Sequence, residues 1–189
     1  MLQFFFYLRG YFGAASCIIL SNWGAAWGTW KSGLGLCGMA VNHPQGVIKN
    51  LVAIIMAGVL GIYGLIVSII IAGAISAPSN ENGINTYSQY NGWAHLAAGL
   101  CCGLSCLASG GATGVAGEVG IRATGLRAEL NHAKTSALTG GSGAQVVDEG
   151  DAGKMYIGSV MILSFAGAIG LYGLIVALII TSSSQYYCE

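Results

Sequence analysis

Residues 56–71 read MAGVLGIYGLIVSIII, and residues 165–180 read FAGAIGLYGLIVALII. The two stretches align from end to end without a gap, carry glycine at the third position and contain no charged side chain. Each is apolar enough to form most of a membrane-spanning helix. The repetition predicts a tandem duplication of a helical hairpin. Because each hairpin crosses the membrane twice, the two copies would have parallel topology.

The composition is that of a membrane protein. Of the 189 residues, 54% are hydrophobic and only 7% are charged, whereas soluble domains carry about 25% charged residues. The formal net charge is zero, which removes the electrostatic basis for binding nucleic acid. None of the six cysteines belongs to a C-x2-C pair followed by histidines, so we expect no metal and no cofactor. The sequence contains no nucleophile–base pair and no phosphate-binding loop, so no motif in it indicates an enzyme.

Four segments are long enough to cross a hydrocarbon layer of about 30 Å as helices. We therefore predict an all-α membrane protein whose four transmembrane helices form two tandem hairpins. The first hairpin is predicted at 1–75, with spans at about 11–37 and 51–75, and a loop at 76–91 follows it. The second hairpin is predicted at 92–181, with spans at about 93–117 and 156–180 that a long loop at 118–154 joins. A tail at 182–189 ends the chain.

Basic residues predict the orientation, because cytosolic loops carry an excess of lysine and arginine. The connection at 76–91 has none, whereas the first and third connections carry most of those in the chain: Lys31, Lys49, Arg122, Arg127, Lys134 and Lys154. We expect loops one and three in the cytosol, and loop two and both termini in the lumen. The third connection, 118–154, is rich in Gly, Ser, Thr and Ala, which predicts either a mobile loop or a docking segment for a soluble partner.

Glycines at four-residue spacing mark helices one and three. Such pairs let membrane helices approach closely, so we predict tight packing of these two helices. The pairs are Gly24 and Gly28, Gly99 and Gly103, and Gly110 and Gly114. Helices one and three also resemble each other weakly, with the segment from Gly24 aligned to that from Gly111.

The chain resembles the proteolipid family of the vacuolar-type proton-translocating ATPase, the c subunits of its membrane ring. The resemblance rests on IIMAGVLGIYGLIVSIIIAG, on ILSFAGAIGLYGLIVALII and on HLAAGLCCGLSCLASGGATGVAGEVGIR. It implies assembly into a membrane c-ring with other proteolipid subunits, with helices one and three inside. It further implies contact with the a subunit of the stator and the d subunit of the central stalk, and residence in the membrane of a vacuole or another acidic organelle.

The chain departs from the family at one position. The resemblance implies a proton-carrying carboxylate, usually after Phe-Ala on helix four or, in one paralogue, on helix two, yet Gly167 follows Phe165 and Ala166. The matching position on helix two is Gly58. The groups that flank these positions are Ser164, Tyr172 and Tyr63. A phenol is too weak an acid to replace a carboxyl group as the carrier.

Three hypotheses follow. The favoured one is a ring member that preserves geometry and carries no proton. The second is an ordinary carrier that uses another acid, for which Glu118 is the candidate, although its spacing to Arg122 also predicts a simple ion pair. The third is a free four-helix pore or fusion protein outside the pump.

Overall fold

The protein is helical throughout the residues that the computed structural model describes, which are 2–41, 44–75, 89–138 and 149–183. Four long helices, connected in sequence, make up the fold. They are α1 at Leu2–Ala40, α2 at Val47–Ala74, α3 at Gln89–Leu138 and α4 at Glu149–Ser183. A 3-10 turn at Pro44–Gly46 precedes α2. The predicted fold class of four helices in an all-α membrane protein is confirmed.

Helix α2 consists of two helical segments that meet at Leu51. The segments are Val47–Asn50 and Val52–Ala74. Leu51 itself has helical dihedral angles, φ −60° and ψ −23°, and the Ile55 amide donates to its carbonyl oxygen at 3.2 Å. The hydrogen-bonded ladder therefore continues, and we treat α2 as one rod.

Three of the four helices are apolar and long enough to cross a membrane, within the described residues. They contain the stretches Val47–Ala74, Gln89–Leu130 and Gly153–Ser183. Helix α1 falls short of them in hydropathy because glycines, tryptophans, Asn22 and Lys31 interrupt its apolar residues. It packs against both α3 and α2, so much of its length is covered by other helices.

Glycines hold α1 and α3 in backbone contact. A Cβ atom on Gly110 would overlap the backbone of Gly24, and one on Gly24 would lie 2.6 Å from the Cys106 carbonyl oxygen. Gly99 meets the backbone of Gly13 in the same way. Since dispersion contacts drive helix association in lipid, such close approach is the main source of attraction between these helices.

The duplication is visible in the contacts between helices. Gly64 of α2 packs on Ser21 of α1, and Gly173 of α4 packs on Ser105 of α3. Gly64 and Gly173 are aligned partners in the repeated stretches at 56–71 and 165–180. Their contacts therefore make Ser21 and Ser105 partners as well. We call this pairing, continued without a gap along α1 and α3, the inner-helix register.

The inner-helix register corrects one prediction from the sequence. It pairs Gly24 with Ala108, so the predicted alignment of Gly24 with Gly111 is wrong by three residues. Small residues recur so often on both helices that several alignments look alike in the sequence. The contacts with the outer helices are what distinguish them.

Aromatic and cationic side chains mark the two ends of the membrane-spanning region. The Arg9 guanidinium lies 4.4 Å from the Trp93 ring centre, and the Lys31 ammonium lies 5.2 Å from the Trp30 ring centre. Arg9 and Lys31 are separated by about 33 Å along α1, at about 1.5 Å of rise per residue. This length matches a hydrocarbon layer of about 30 Å, so these residues lie at its two boundaries.

Two helices extend farther than the sequence predicted. Helix α3 continues beyond Gly117 to Leu138, and α4 begins at Glu149, so most of the predicted loop at 118–154 is helical. Residues 121–138 contain many Ala, Leu, Arg, Glu and Lys, which favour helix even on a polar surface. Residues 139–148 of the segment predicted as a mobile loop or a docking segment (118–154) lie outside the described residues. So do residues 76–88 of the predicted loop at 76–91 and residues 184–189 of the predicted tail at 182–189.

The glycine contacts make a testable distinction between neighbouring residues. Gly110→Ala should lower the free energy of unfolding by about 1–3 kcal/mol, because its methyl group meets the backbone of Gly24. Gly111→Ala is the matched control, since no atom lies within 4 Å of its Cβ position; it should raise the free energy of unfolding by about 0.5–1 kcal/mol, because alanine favours a helix over glycine. Thermal unfolding of the purified chain in detergent would measure both. Equal effects would contradict the backbone contact.

Candidate functional site

The position after Phe165 and Ala166 on α4 is an open notch. Gly167 is half-buried, and no atom lies within 4 Å of where its Cβ would be. The Phe165 side chain is 77% exposed and does not fill the space. Packing therefore leaves room for a larger side chain at 167, and the absence of a carboxylate there is not imposed by the surrounding helices.

A hydrogen bond between α3 and α4 sets the depth of this notch. The Ser109 hydroxyl, which is fully buried, donates to the Ala166 carbonyl oxygen at 2.6 Å. Along the helix, Ser109 lies about 14 Å from Glu118 and about 24 Å from Trp93, at the helical rise. Gly167 thus lies well inside the hydrocarbon layer, on the Glu118 side of its centre.

Gly58 is the counterpart of Gly167 on α2 and is equally open, with no atom within 4 Å of its Cβ position. One turn away the two helices differ. Gly61 lies against the Asn22 side chain, whereas Gly170 lies against the Leu60 side chain and Ser109. In both outer helices, therefore, the first glycine (Gly58 or Gly167) has open space beside it, and the glycine three residues later is closely packed against neighbouring side chains.

The flanking groups that the sequence singled out have ordinary surroundings. The Ser164 hydroxyl donates to the Val160 carbonyl oxygen of its own helix at 3.0 Å, as serine commonly does in membrane helices. Tyr172 is 66% exposed, whereas Tyr63 packs against a buried cluster that includes Cys17 and Val67. The structure does not bring these side chains together at the notch.

Glu118 belongs to an ion-pair cluster at the end of the inner helices. Its carboxylate lies 2.8 Å from the Arg122 guanidinium and 3.9 Å from the Lys31 ammonium. The pair with Arg122 is the one that the four-residue spacing predicts. At about 14 Å from the depth of Ser109, this acid cannot reach the notch beside Gly167.

The buried cysteines form part of the packing between α1 and α3. Cys17, Cys102 and Cys106 have no exposed surface and are free thiols, and the sulfur atoms of Cys102 and Cys106 are 4.0 Å apart. Within the described part of the chain, no three His, Cys, Asp or Glu side chains are grouped to hold a metal ion. These thiols act as small apolar side chains.

Sequence reasoning missed Ser109, although it donates the hydrogen bond to the α4 backbone at the notch. One signal was available, because Ser105 and Ser109 are four residues apart and therefore lie on one face of α3. Ser21 similarly donates to the Leu60 carbonyl oxygen at 3.2 Å. Serines among the small residues of an inner helix were therefore the available signal for hydrogen bonds to an outer helix.

Comparison with known proteins identifies the family. The family model that describes the C subunit of ATP synthase matches residues 12–71 and 96–180. The chain is 46% identical over 173 residues to a V-type proton ATPase 16 kDa proteolipid subunit of Chrysotila carterae, covering 92% of this chain and 89% of that protein. It is 39% identical over 173 residues to the c' subunit of the V-type proton ATPase of Eremothecium gossypii, covering 92% and 87%.

The two matched ranges agree with the helix contacts. Their first residues, 12 and 96, are partners in the inner-helix register, and their last residues, 71 and 180, are partners in the repeat of the outer helices. The expected resemblance is confirmed along nearly the whole chain, across both hairpins. The chain belongs to the proteolipid subunit family of V-type proton ATPases.

Proposed function

We propose that this chain occupies a place in the rotor ring of a V-type proton pump without carrying a proton itself. Family membership supports the place in the ring. The observation that supports the absence of proton carriage is Gly167, which occupies the position where the resemblance implies a carboxylate. All seven acidic residues of the chain fall outside the four predicted spans, so none of them can take over that role at the same depth.

A rotary carrier needs a group that is neutral while it faces lipid and charged while it faces the stator. A carboxyl group meets this requirement because burial raises its pKa and a nearby arginine lowers it again. Placing a charge at the centre of the bilayer costs about 3 kcal/mol or more. Glycine offers no titratable group, so a subunit with Gly167 would pass the stator without exchanging a proton.

A silent subunit changes the stoichiometry of the ring. Each turn would move fewer protons for the same number of ATP molecules, so each proton would be driven by a larger share of the free energy. When Gly167 passes the stator, the arginine there would lack its counter-charge. The open notch beside Gly167 gives room for water to solvate that arginine, which would lower the cost.

The orientation of the chain in the membrane is proposed from its basic residues, and its organelle and partners are proposed from its family. Lys31 and Arg122 lie together beside Glu118 at one end of the inner helices, and this end would face the cytosol by the positive-inside rule. The termini would face the lumen of a vacuole or another acidic organelle. The a subunit of the stator and the d subunit of the central stalk would be its partners, together with the other proteolipids.

Carboxyl-specific labelling tests the proposal. A hydrophobic carbodiimide should modify no residue within the spans of the native chain, because no acid lies there. Gly167→Glu should gain specific labelling, since the notch accommodates the side chain, and Gly167→Gln is the isosteric control that should stay unlabelled. Mass spectrometry of the digested chain would locate the modification. Labelling of a mid-membrane residue in the native chain would refute the proposal.

Glu118→Gln separates the silent subunit from a carrier that uses another acid. Loss of the ion pairs with Arg122 and Lys31 should cost on the order of 1 kcal/mol of stability or less and leave ATP-driven acidification of vesicles unchanged. Glu129→Gln, farther along α3, is the control for loss of an acid elsewhere. If Glu118→Gln alone abolished pumping, Glu118 would be the carrier.

A further inference from the structure

Three exposed tryptophans follow one face of α1 toward the end of the membrane-spanning region where Lys31 lies. Trp23, Trp27 and Trp30 are four and three residues apart, so they lie on one side of the helix. Their exposed fractions are 62%, 47% and 56%. The chain has four tryptophans, and three of them therefore share this one surface. We call it the tryptophan face.

Helix geometry directs the tryptophan face away from the outer helix of its own hairpin. Residues are about 100° apart around a helix axis. Trp23 therefore lies about 100° from Gly24, which contacts α3, and about 160° from Ala25, which contacts α2. The face points to the side of the inner helices that α2 does not cover.

Helix α3 leaves an open position beside the tryptophan face. Gly111 lies about 100° from Gly110, which contacts α1, and about 160° from Ser109, which bonds to α4. No atom lies within 4 Å of the Cβ position of Gly111. Gly28, the neighbour of Trp27, packs on the Gly110 carbonyl oxygen, so Trp27 and Gly111 lie at a similar depth. The two helices thus form a shallow groove, with an indole ring on one side and no side chain opposite.

Charged groups lie at the membrane boundary, beside the tryptophan face. The Lys31 ammonium lies 5.2 Å from the centre of the Trp30 ring and 3.9 Å from the Glu118 carboxylate. The Arg122 guanidinium lies 2.8 Å from the same carboxylate. Two cations therefore share one anion, which leaves one positive charge in excess. The excess charge is accessible, because the Arg122 side chain is 60% exposed whereas that of Glu118 is 19% exposed.

The polarity of this surface changes along the membrane normal as that of a phospholipid does. Lys31 lies at the boundary of the hydrocarbon layer, and Trp23 lies about 12 Å deeper at the helical rise. Tryptophan suits such a boundary because its ring is apolar and its N–H group is polar. The Trp27 and Trp30 rings meet edge to face with their centres 5.8 Å apart, a favourable arrangement for two aromatic rings. The surface thus presents cations at headgroup depth and aromatic rings below them.

We propose that the tryptophan face and the Lys31–Glu118–Arg122 cluster bind a phospholipid with an anionic headgroup, from the leaflet on the Lys31 side of the membrane. The headgroup phosphate pairs with Arg122 and Lys31, and an acyl chain lies in the groove beside Trp27. Charge complementarity selects an anionic lipid over a zwitterionic one, because a zwitterion brings a cation of its own to the excess positive charge. The site is complete within one chain, so it does not rest on the proposed place in a ring.

Tryptophan fluorescence measures which lipid lies on this face. Trp93→Phe removes the fourth indole, so that the other three tryptophans report on the proposed site alone. The purified full chain is placed in phosphatidylcholine vesicles that contain brominated phosphatidylserine or, for comparison, the same fraction of brominated phosphatidylcholine, because bromine quenches indole fluorescence on contact. We expect the brominated anionic lipid to associate about five-fold more strongly. The preference should weaken at high salt, which screens the charges.

Two substitutions change the charge of the site in opposite directions. Arg122→Gln removes the excess positive charge and should abolish the preference for the anionic lipid. Glu118→Gln leaves the two cations without their anion and should raise the preference about five-fold further. A role in packing alone would not move the preference in opposite directions. The brominated phosphatidylcholine series corrects for any change in the fluorescence of each variant.

Lys154→Gln is the matched control for the loss of a cation at the same membrane boundary. Lys154 is exposed on the outer helix α4. The contact between Ser159 and Gly120 puts Lys154 at a height similar to that of Arg122 at the helical rise. Its removal should leave the preference unchanged, because it does not belong to the tryptophan face.

Two results would overturn the proposal. Equal association of the two brominated lipids in the Trp93→Phe chain would mean that the face has no headgroup site. An equal loss of preference in Lys154→Gln and Arg122→Gln would mean that the lipid is attracted to the whole basic end of the chain. Neither result bears on the proposed function, which carbodiimide labelling tests separately.

Discussion

The contact of the Gly24 backbone with the Gly110 backbone fixes the distance between the inner helices, and the rest of the structure depends on that distance. Lipid chains are as apolar as leucine, so burying apolar side chains gives little attraction between membrane helices. What remains is dispersion, which falls off steeply when a gap opens between the atoms in contact. Glycine lets two backbones touch, and both outer helices pack against the pair of inner helices.

The outer helices also pack through glycines, but their glycines contact serine side chains. Each outer helix packs against its own inner helix, through Gly64 on Ser21 in the first hairpin and Gly173 on Ser105 in the second. The two contacts occupy equivalent positions in the duplicated sequence. Serine is small and donates its hydroxyl hydrogen to a backbone carbonyl, as Ser21 does to the Leu60 oxygen. It can therefore sit in a closely packed apolar interface without an unsatisfied polar group.

How much the sequence could predict varied with the strength of each pattern. The repeat of residues 56–71 at 165–180 is long and apolar, so the fold class and the duplication followed from it directly. The register of α1 on α3 did not follow, because glycine, alanine and serine recur at many spacings and no single alignment stands out. The helical extension to Leu138 was hidden because glycine, serine and threonine nearby made the segment look like a loop. For the candidate site, the resemblance gave the prediction of Gly167, which stays a prediction. The open space at Gly167 and the bond from Ser109 to the Ala166 carbonyl could not be predicted, because they depend on how α3 lies on α4.

Packing and the proposed proton-carrying position are separable in this architecture, because different residues define them. The helices meet through glycines and serines that face inward, such as Gly110 and Ser109, whereas a Cβ atom at Gly167 or Gly58 would have no atom of another residue packed within 4 Å. A side chain at an outward position adds no internal contact, so exchanging a carboxylate for glycine there removes a titratable group and leaves the packing of the four helices unchanged. By contrast, a single methyl group at Gly110 would separate the inner helices. The constraint on shape is therefore strict, whereas under the proposed function the chemistry depends on one side chain that the packing does not require.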